Sequence, residues 1–113
     1  MARLNTPEIS VQDLGERLRS DQEFILLDVR ESWELTRARW DDARLRLAPL
    51  SQIAQRGMEA LPEDSEIVVV CHHGIRSAQV TNWLLSQGRQ NVVSLHGGIE
   101  AYALKVDSTV GRY

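Results

Sequence analysis

Short apolar runs recur along this chain, each separated from the next by a segment of helical periodicity. Ile67 to Val70 is apolar and β-branched, too short for a helix, and reads as a buried strand. Phe24 to Val29 and Asn91 to His96 read the same way. Ala43 to Leu47 alternates, Leu45 and Leu47 against Arg44 and Arg46, as a half-buried strand near a sheet edge does. Glu8-Ile9-Ser10 is either a short first strand or an extended entry. Between these runs, Val11, Leu14 and Leu18 follow a good N-cap at Ser10, and Asp21-Gln22 breaks that helix. A short helix is expected from Glu31 to about Arg37, and another through Ile53, Ala54, Met58 and Leu61, closed by Pro62-Glu63-Asp64. Val80, Trp83, Leu84 and Gln87 mark one face of a helix that Ser77 opens and Gly88 ends from the C′ position. Ile99 to about Val106 forms the last helix, after Gly97-Gly98, and Asp107 to Tyr113 is a tail that either packs back or frays.

Strands alternating with helices at this spacing are βαβ units. The expected fold class is α/β: one domain over residues 1–113, core about 8–106, with a mostly parallel five-stranded sheet and helices on both faces. Ligands of such sheets bind outside the carboxyl ends of the strands. Three polar clusters fall at those ends, Asp28 with Arg30, Cys71 to Arg76, and His96-Gly97-Gly98, and the topology makes them converge.

The central run delivers the only cysteine, Cys71, to a turn before a helix N-terminus. N–H groups there lack intrahelical partners and point at any anion in the turn, and Arg76 adds a fixed positive charge. Both lower a thiol pKa, so Cys71 is expected as a thiolate at neutral pH. Gly74 is expected to take a positive φ that curls the loop round the sulfur.

A single cysteine excludes an internal disulfide scaffold. The net charge of -3 advertises no nucleic-acid surface. The longest apolar run, Ile67 to Cys71, is far short of a membrane span, and the first ten residues contain no apolar signal core. No nucleic-acid or membrane partner is expected, and the reading is cytoplasmic. Cys71, His72, His73 and His96 lack metal-ligand spacing, so neither metal nor cofactor is expected.

The string Cys71-His72-His73-Gly74-Ile75-Arg76-Ser77 resembles the active-site loop of the rhodanese family of sulfurtransferases, C-x-x-G-x-R-S. Leu27 to Glu31 is similar to its L-D-V-R-E signature, and Leu95 to Gly98 to its L-x-G-G signature. The resemblance runs from about Ile9 to Tyr102. It departs where Ala38 to Ala43 stands for the usual G-H-I-x-G-A, and where Tyr102 replaces a tryptophan. The resemblance implies a rhodanese-like domain that moves sulfane sulfur from a donor such as thiosulfate to cyanide or a thiol, through a persulfide on Cys71. His72, His73, Gly74, Ile75, Arg76 and Ser77 then form the sulfur-binding loop. Four residues separate Cys71 from Arg76, one fewer than in the C-x5-R loop of the phosphatases it otherwise resembles, which favours sulfur over phosphate.

The supporting residues have alternative readings. His72 and His73 either tune access or are solvated. Asp28 either buttresses the loop, through Arg76 or backbone N–H groups, or caps the helix near Glu31. Arg30 lines the mouth or pairs with a surface carboxylate. Ser77 donates to the sulfur, caps the helix, or both. Arg76 holds the loop shut and favours anionic donors. Gly97-Gly98 is tight backbone geometry. Of the three tryptophans, Trp40 is the expected partner contact, and Arg37, Arg39, Arg44 and Arg46 form a solvated edge or greet an acidic donor protein. Two alternatives to a small-molecule enzyme are a relay fed by a protein sulfur donor and a non-catalytic interaction module.

Overall fold

Alternation of side chains along the strands decides the layers. In the computed structural model, which describes residues 6–56, 61 and 64–113, five strands pair in parallel in the order β1-β5-β4-β2-β3. They are β1 (Glu8–Ile9), β2 (Ile25–Asp28), β3 (Leu45–Leu47), β4 (Ile67–Val70) and β5 (Val92–Leu95). Leu26, Val68, Val70 and Leu95 face one cluster, completed by Val11 and Leu14 of α1 (Val11–Leu18) and Ile99 and Tyr102 of α4 (Gly98–Lys105). Ile25, Leu27, Ile67 and Val69 face the other, completed by Ile53 of α2 (Leu50–Arg56) and Val80 and Leu84 of α3 (Ile75–Ser86). Burial on both faces explains why β4 reads as a continuous apolar run. Each of its side chains contributes roughly 1.5–3 kcal/mol of burial.

The expected α/β architecture therefore holds, with an all-parallel sheet. Glu8–Ile9 is a true strand, paired with β5, and the alternating segment is the edge strand β3. Ser10 caps α1 by accepting from the Asp13 N–H at 3.1 Å. Gly88, at φ +91°, follows the Gln87 cap of α3 as expected. The expected continuation of α2 through Met58 and the closing Pro62-Glu63 lie outside the described residues.

Four details differ. The short helix after Arg30 is a 3-10 turn, Ser32–Thr36, held by Glu31 and Glu34 in a reciprocal capping box. α3 begins at Ile75, because Gly74 takes φ +102° and ends the loop there, so Ser77 lies in the first turn and is not the cap. Trp40 is buried, edge-on to Tyr102 at 5.4 Å, and Trp33 is the exposed tryptophan. Arg44 is no solvated edge residue: its guanidinium caps the end of α1 through the carbonyls of Arg17 (2.9 Å) and Leu18 (3.0 Å). The tail packs back, turning through a 3-10 segment at Ser108–Val110 with Val110 buried.

Candidate active site

Parity along β4 aims the cysteine. Cys71 follows Ile67 and Val69 in the two-residue period, so its side chain enters the layer between the sheet and α3. The thiol is buried, and Sγ accepts from the backbone N–H of Gly74 at 3.1 Å and of Ser77 at 3.3 Å. The Ser77 hydroxyl lies 3.5 Å from Sγ and is also tied to the Gly74 carbonyl (3.2 Å) and to Ser94 Oγ of β5 (2.7 Å). Two aimed amides at the start of a twelve-residue helix make a preorganised cradle for negative charge on sulfur.

The turn after β5 anchors the loop from the other side. The N–H groups of Ile99 and Glu100, free at the start of α4, donate to the carbonyls of Cys71 (2.9 Å) and His72 (3.1 Å). This approach requires glycine at position 98: a Cβ there would lie 2.3 Å from the His72 carbonyl oxygen, and φ is +65°.

A family model described as a rhodanese-like domain matches residues 10–105. The chain belongs to the rhodanese-like domain family. It is 36% identical over 96 residues to a sulfurtransferase of Allochromatium vinosum, covering 85% of this chain and 87% of that protein. It is 35% identical over 112 residues to a chloroplastic rhodanese-like/PpiC domain-containing protein of Arabidopsis thaliana, covering 94% of this chain but spanning only 37% of that relative's length. Its structure is similar to that of a rhodanese-related protein from Thermoplasma volcanium, with a TM-score of 0.74 and 31% identity over 88% of this chain and 93% of the other.

Within this rhodanese domain the supporting residues take places that the sequence left open. Asp28 does not reach Arg76. It grips Arg30 with both oxygens, Nε at 2.9 Å and Nη2 at 2.7 Å, and neither side chain has any exposure. Arg30 therefore neither lines the mouth nor meets a surface carboxylate. Its Nη1 donates to the Ala38 carbonyl (2.8 Å) and the Tyr113 hydroxyl (3.2 Å). The partner of Arg76 is Glu34 on the 3-10 turn, at 2.7 and 2.9 Å. The Glu34 carboxylate also accepts from the Glu31 N–H (2.8 Å) and the Tyr113 hydroxyl (2.8 Å). With Arg76 foremost among these donors, its pKa falls to about 2.

His72 stacks between Tyr113 and His73, with ring centroids 3.8 Å apart on each side. Burial, together with the neighbouring His73, pushes the His72 pKa below its ordinary value. His96 turns away to Glu8 at 3.1 Å, exposed at the sheet edge. Of the three expected clusters, Asp28 with Arg30, the cysteine loop and Gly97-Gly98 do converge, and the His96 side chain does not. A cleft of about 450 Å³ lined by Arg19, Trp40, Tyr102 and Asp107 lies apart from the loop.

Glu34, Tyr113 and Ser94 are the residues that the sequence did not single out. Glu34 carried one local signal, its place three residues after Glu31 in a capping box. Tyr113 and Ser94 carried none, since their partners lie far away in the chain.

Proposed function

We propose that this rhodanese-like protein transfers sulfane sulfur from a donor to a thiophilic acceptor, a thiol or cyanide, through a persulfide on Cys71. The observation that carries the reading is the Sγ of Cys71 held by the N–H groups of Gly74 and Ser77, in a loop with four residues between Cys71 and Arg76. Cys71 attacks the outer sulfur of the donor, the donor's remainder leaves with the bonding pair, and the acceptor then removes the outer sulfur by the same displacement. The loop amides stabilise the anionic sulfur that each step develops. Ser77, fixed by Ser94, supplies a hydroxyl 3.5 Å from the reacting atom.

Intact mass after prolonged exposure to excess thiosulfate tests this. Wild type gains one sulfur atom and loses it to cyanide, and Cys71→Ala gains none. A wild type that gains nothing while its thiol still alkylates sinks the reading.

A second reading has one observation in its favour. Ile75 and Trp33 are large apolar side chains left 71% and 59% exposed, the first within the loop and the second edge-on to Tyr113. Such a rim suits contact with a protein that hands sulfur to Cys71. Transfer from a persulfidated cysteine desulfurase that is faster than transfer from any small donor, and slowed by Ile75→Ser, decides for the relay.

A further inference from the structure

Glu34 cancels the one fixed charge that the cysteine loop carries. Arg76 is the loop's only arginine or lysine, and both of its terminal nitrogens bond the Glu34 carboxylate. That carboxylate is ionised at any working pH. The other arginines that the surrounding contacts bring in are held in the same way. Arg30 is held by Asp28, and Arg112 is held at 2.7 Å by Glu100, whose backbone N–H binds the His72 carbonyl. Around Sγ the loop places the N–H groups of Gly74 and Ser77 and the Ser77 hydroxyl, its outer side chains are the exposed apolar Ile75 and the stacked rings of His72 and His73, and its one arginine is already paired.

We propose that the donor this site accepts best is a thiol-bound sulfane sulfur, an alkyl persulfide R–S–SH, rather than the thiosulfate dianion, and that Glu34 is the residue that sets this choice. The inference rests on the Cys71 persulfide reading above. With thiosulfate, the Cys71 thiolate forms a bond to the outer sulfur as the bond to the sulfonate sulfur breaks and sulfite leaves with the electron pair. One negative charge meets two. With R–S–SH the same exchange gives Cys71–S–SH and R–S⁻, and a single negative charge is carried throughout. Neither route needs an oxidant or a reductant. Uncharged loop donors stabilise one charge well, whereas three concentrated charges call for an uncancelled cation at the loop. Glu34 has taken that cation.

The test is single-turnover loading of Cys71 in the full chain, read by intact mass. The donors are thiosulfate and the persulfide of N-acetylcysteine methyl ester, each rate divided by that donor's rate with free N-acetylcysteine. The normalised persulfide rate is expected to exceed the thiosulfate rate by at least about tenfold, and Glu34→Gln to move the ratio towards thiosulfate by about tenfold, as uncovering one charge a few ångströms away does. Thiosulfate loading that matches the persulfide in wild type overturns the donor assignment and leaves the sulfur-transfer reading standing. An unmoved ratio in a folded Glu34→Gln removes Glu34 from the choice. If that variant does not fold, the wild-type ratio decides. Failure of both donors overturns the sulfur-transfer reading itself.

Discussion

The hydroxyl of Tyr113 donates to Glu34 Oε1 at 2.8 Å, across 79 residues of sequence. The phenol oxygen of Tyr113 in turn accepts from Arg30 Nη1 at 3.2 Å. One phenol therefore joins two ion pairs, Asp28 with Arg30 in the core and Glu34 with Arg76 on the cysteine loop, while its ring stacks on His72. The end of the described chain thus closes over the loop. Burial raises the Tyr113 pKa, so the phenol keeps the proton it donates.

Tyr113→Phe keeps the stack and removes both hydroxyl bonds. Loss of hydrogen bonds to charged partners is expected to cost about 1–3 kcal/mol. Tyr113→Ala also uncovers His72 and costs more. Urea unfolding of the three proteins measures the difference. Equal stability of wild type and Tyr113→Phe would mean that water replaces the hydroxyl without loss.

Two glycines separate backbone strain from close approach. Gly98→Ala places a methyl group 2.3 Å from the His72 carbonyl, so the loop must shift. Gly88 has a positive φ as well, +91°, but nothing lies within 4 Å of its Cβ position. Gly88→Ala is expected to cost about 1–2 kcal/mol of conformational strain and to leave sulfur loading of Cys71 intact. Gly98→Ala is expected to lose more stability and to slow loading at least about tenfold, because the carbonyls that hold the loop move. Similar loading in both variants would show that the loop tolerates the shift.

The sequence carried the local half of this architecture. Short continuous apolar runs and helical patterns placed β2, β4, β5 and their helices, and the Cys71 to Ser77 string marked the loop. Each of those signals lies within a dozen residues. What the patterns missed is held by distant partners: Glu34 to Arg76, Ser77 to Ser94 and Tyr113 to Arg30. A glutamate on a short polar turn looks like a solvated residue until a guanidinium from another element meets it. Asp28 was open between a buttress of the loop and a cap of the next helix, and its carboxylate instead grips the Arg30 side chain two residues away. Trp40, read as the partner contact, is buried instead, and it sits in no repeating pattern that would have shown its side.

The Asp28–Arg30 pair is fully buried, so its two halves are not independent. Asp28→Ala leaves a guanidinium without its counter-charge, and the expected cost is about 3–5 kcal/mol. Replacing both, Asp28→Leu with Arg30→Met, removes the desolvated charges together and is expected to recover much of that loss. Chemical denaturation of the single and double variants gives the coupling. A double variant no more stable than Asp28→Ala would show that the contacts of Arg30 to Ala38 and Tyr113 matter more than its charge.

The Glu34–Arg76 pair makes stability depend on acid in a defined window. The folded-state pKa of Glu34, about 2, lies below its ordinary 4.5, so folding favours the ionised carboxylate. That contribution is complete above the unfolded value and is lost as pH falls from about 4.5 towards 2. The shift corresponds to roughly 3 kcal/mol, and solvent screening at Arg76, 31% exposed, lowers this to about 2 kcal/mol. Wild type and Glu34→Gln are compared by urea midpoint at about pH 5 and about pH 3. The amide cannot titrate, so the gap between the two proteins is expected to narrow by about 1 kcal/mol between these two pH values, roughly half of the whole contribution. Parallel curves would place the acid sensitivity of the fold at other carboxylates, and the Glu34–Arg76 contact would then be a positional restraint on the loop without electrostatic weight.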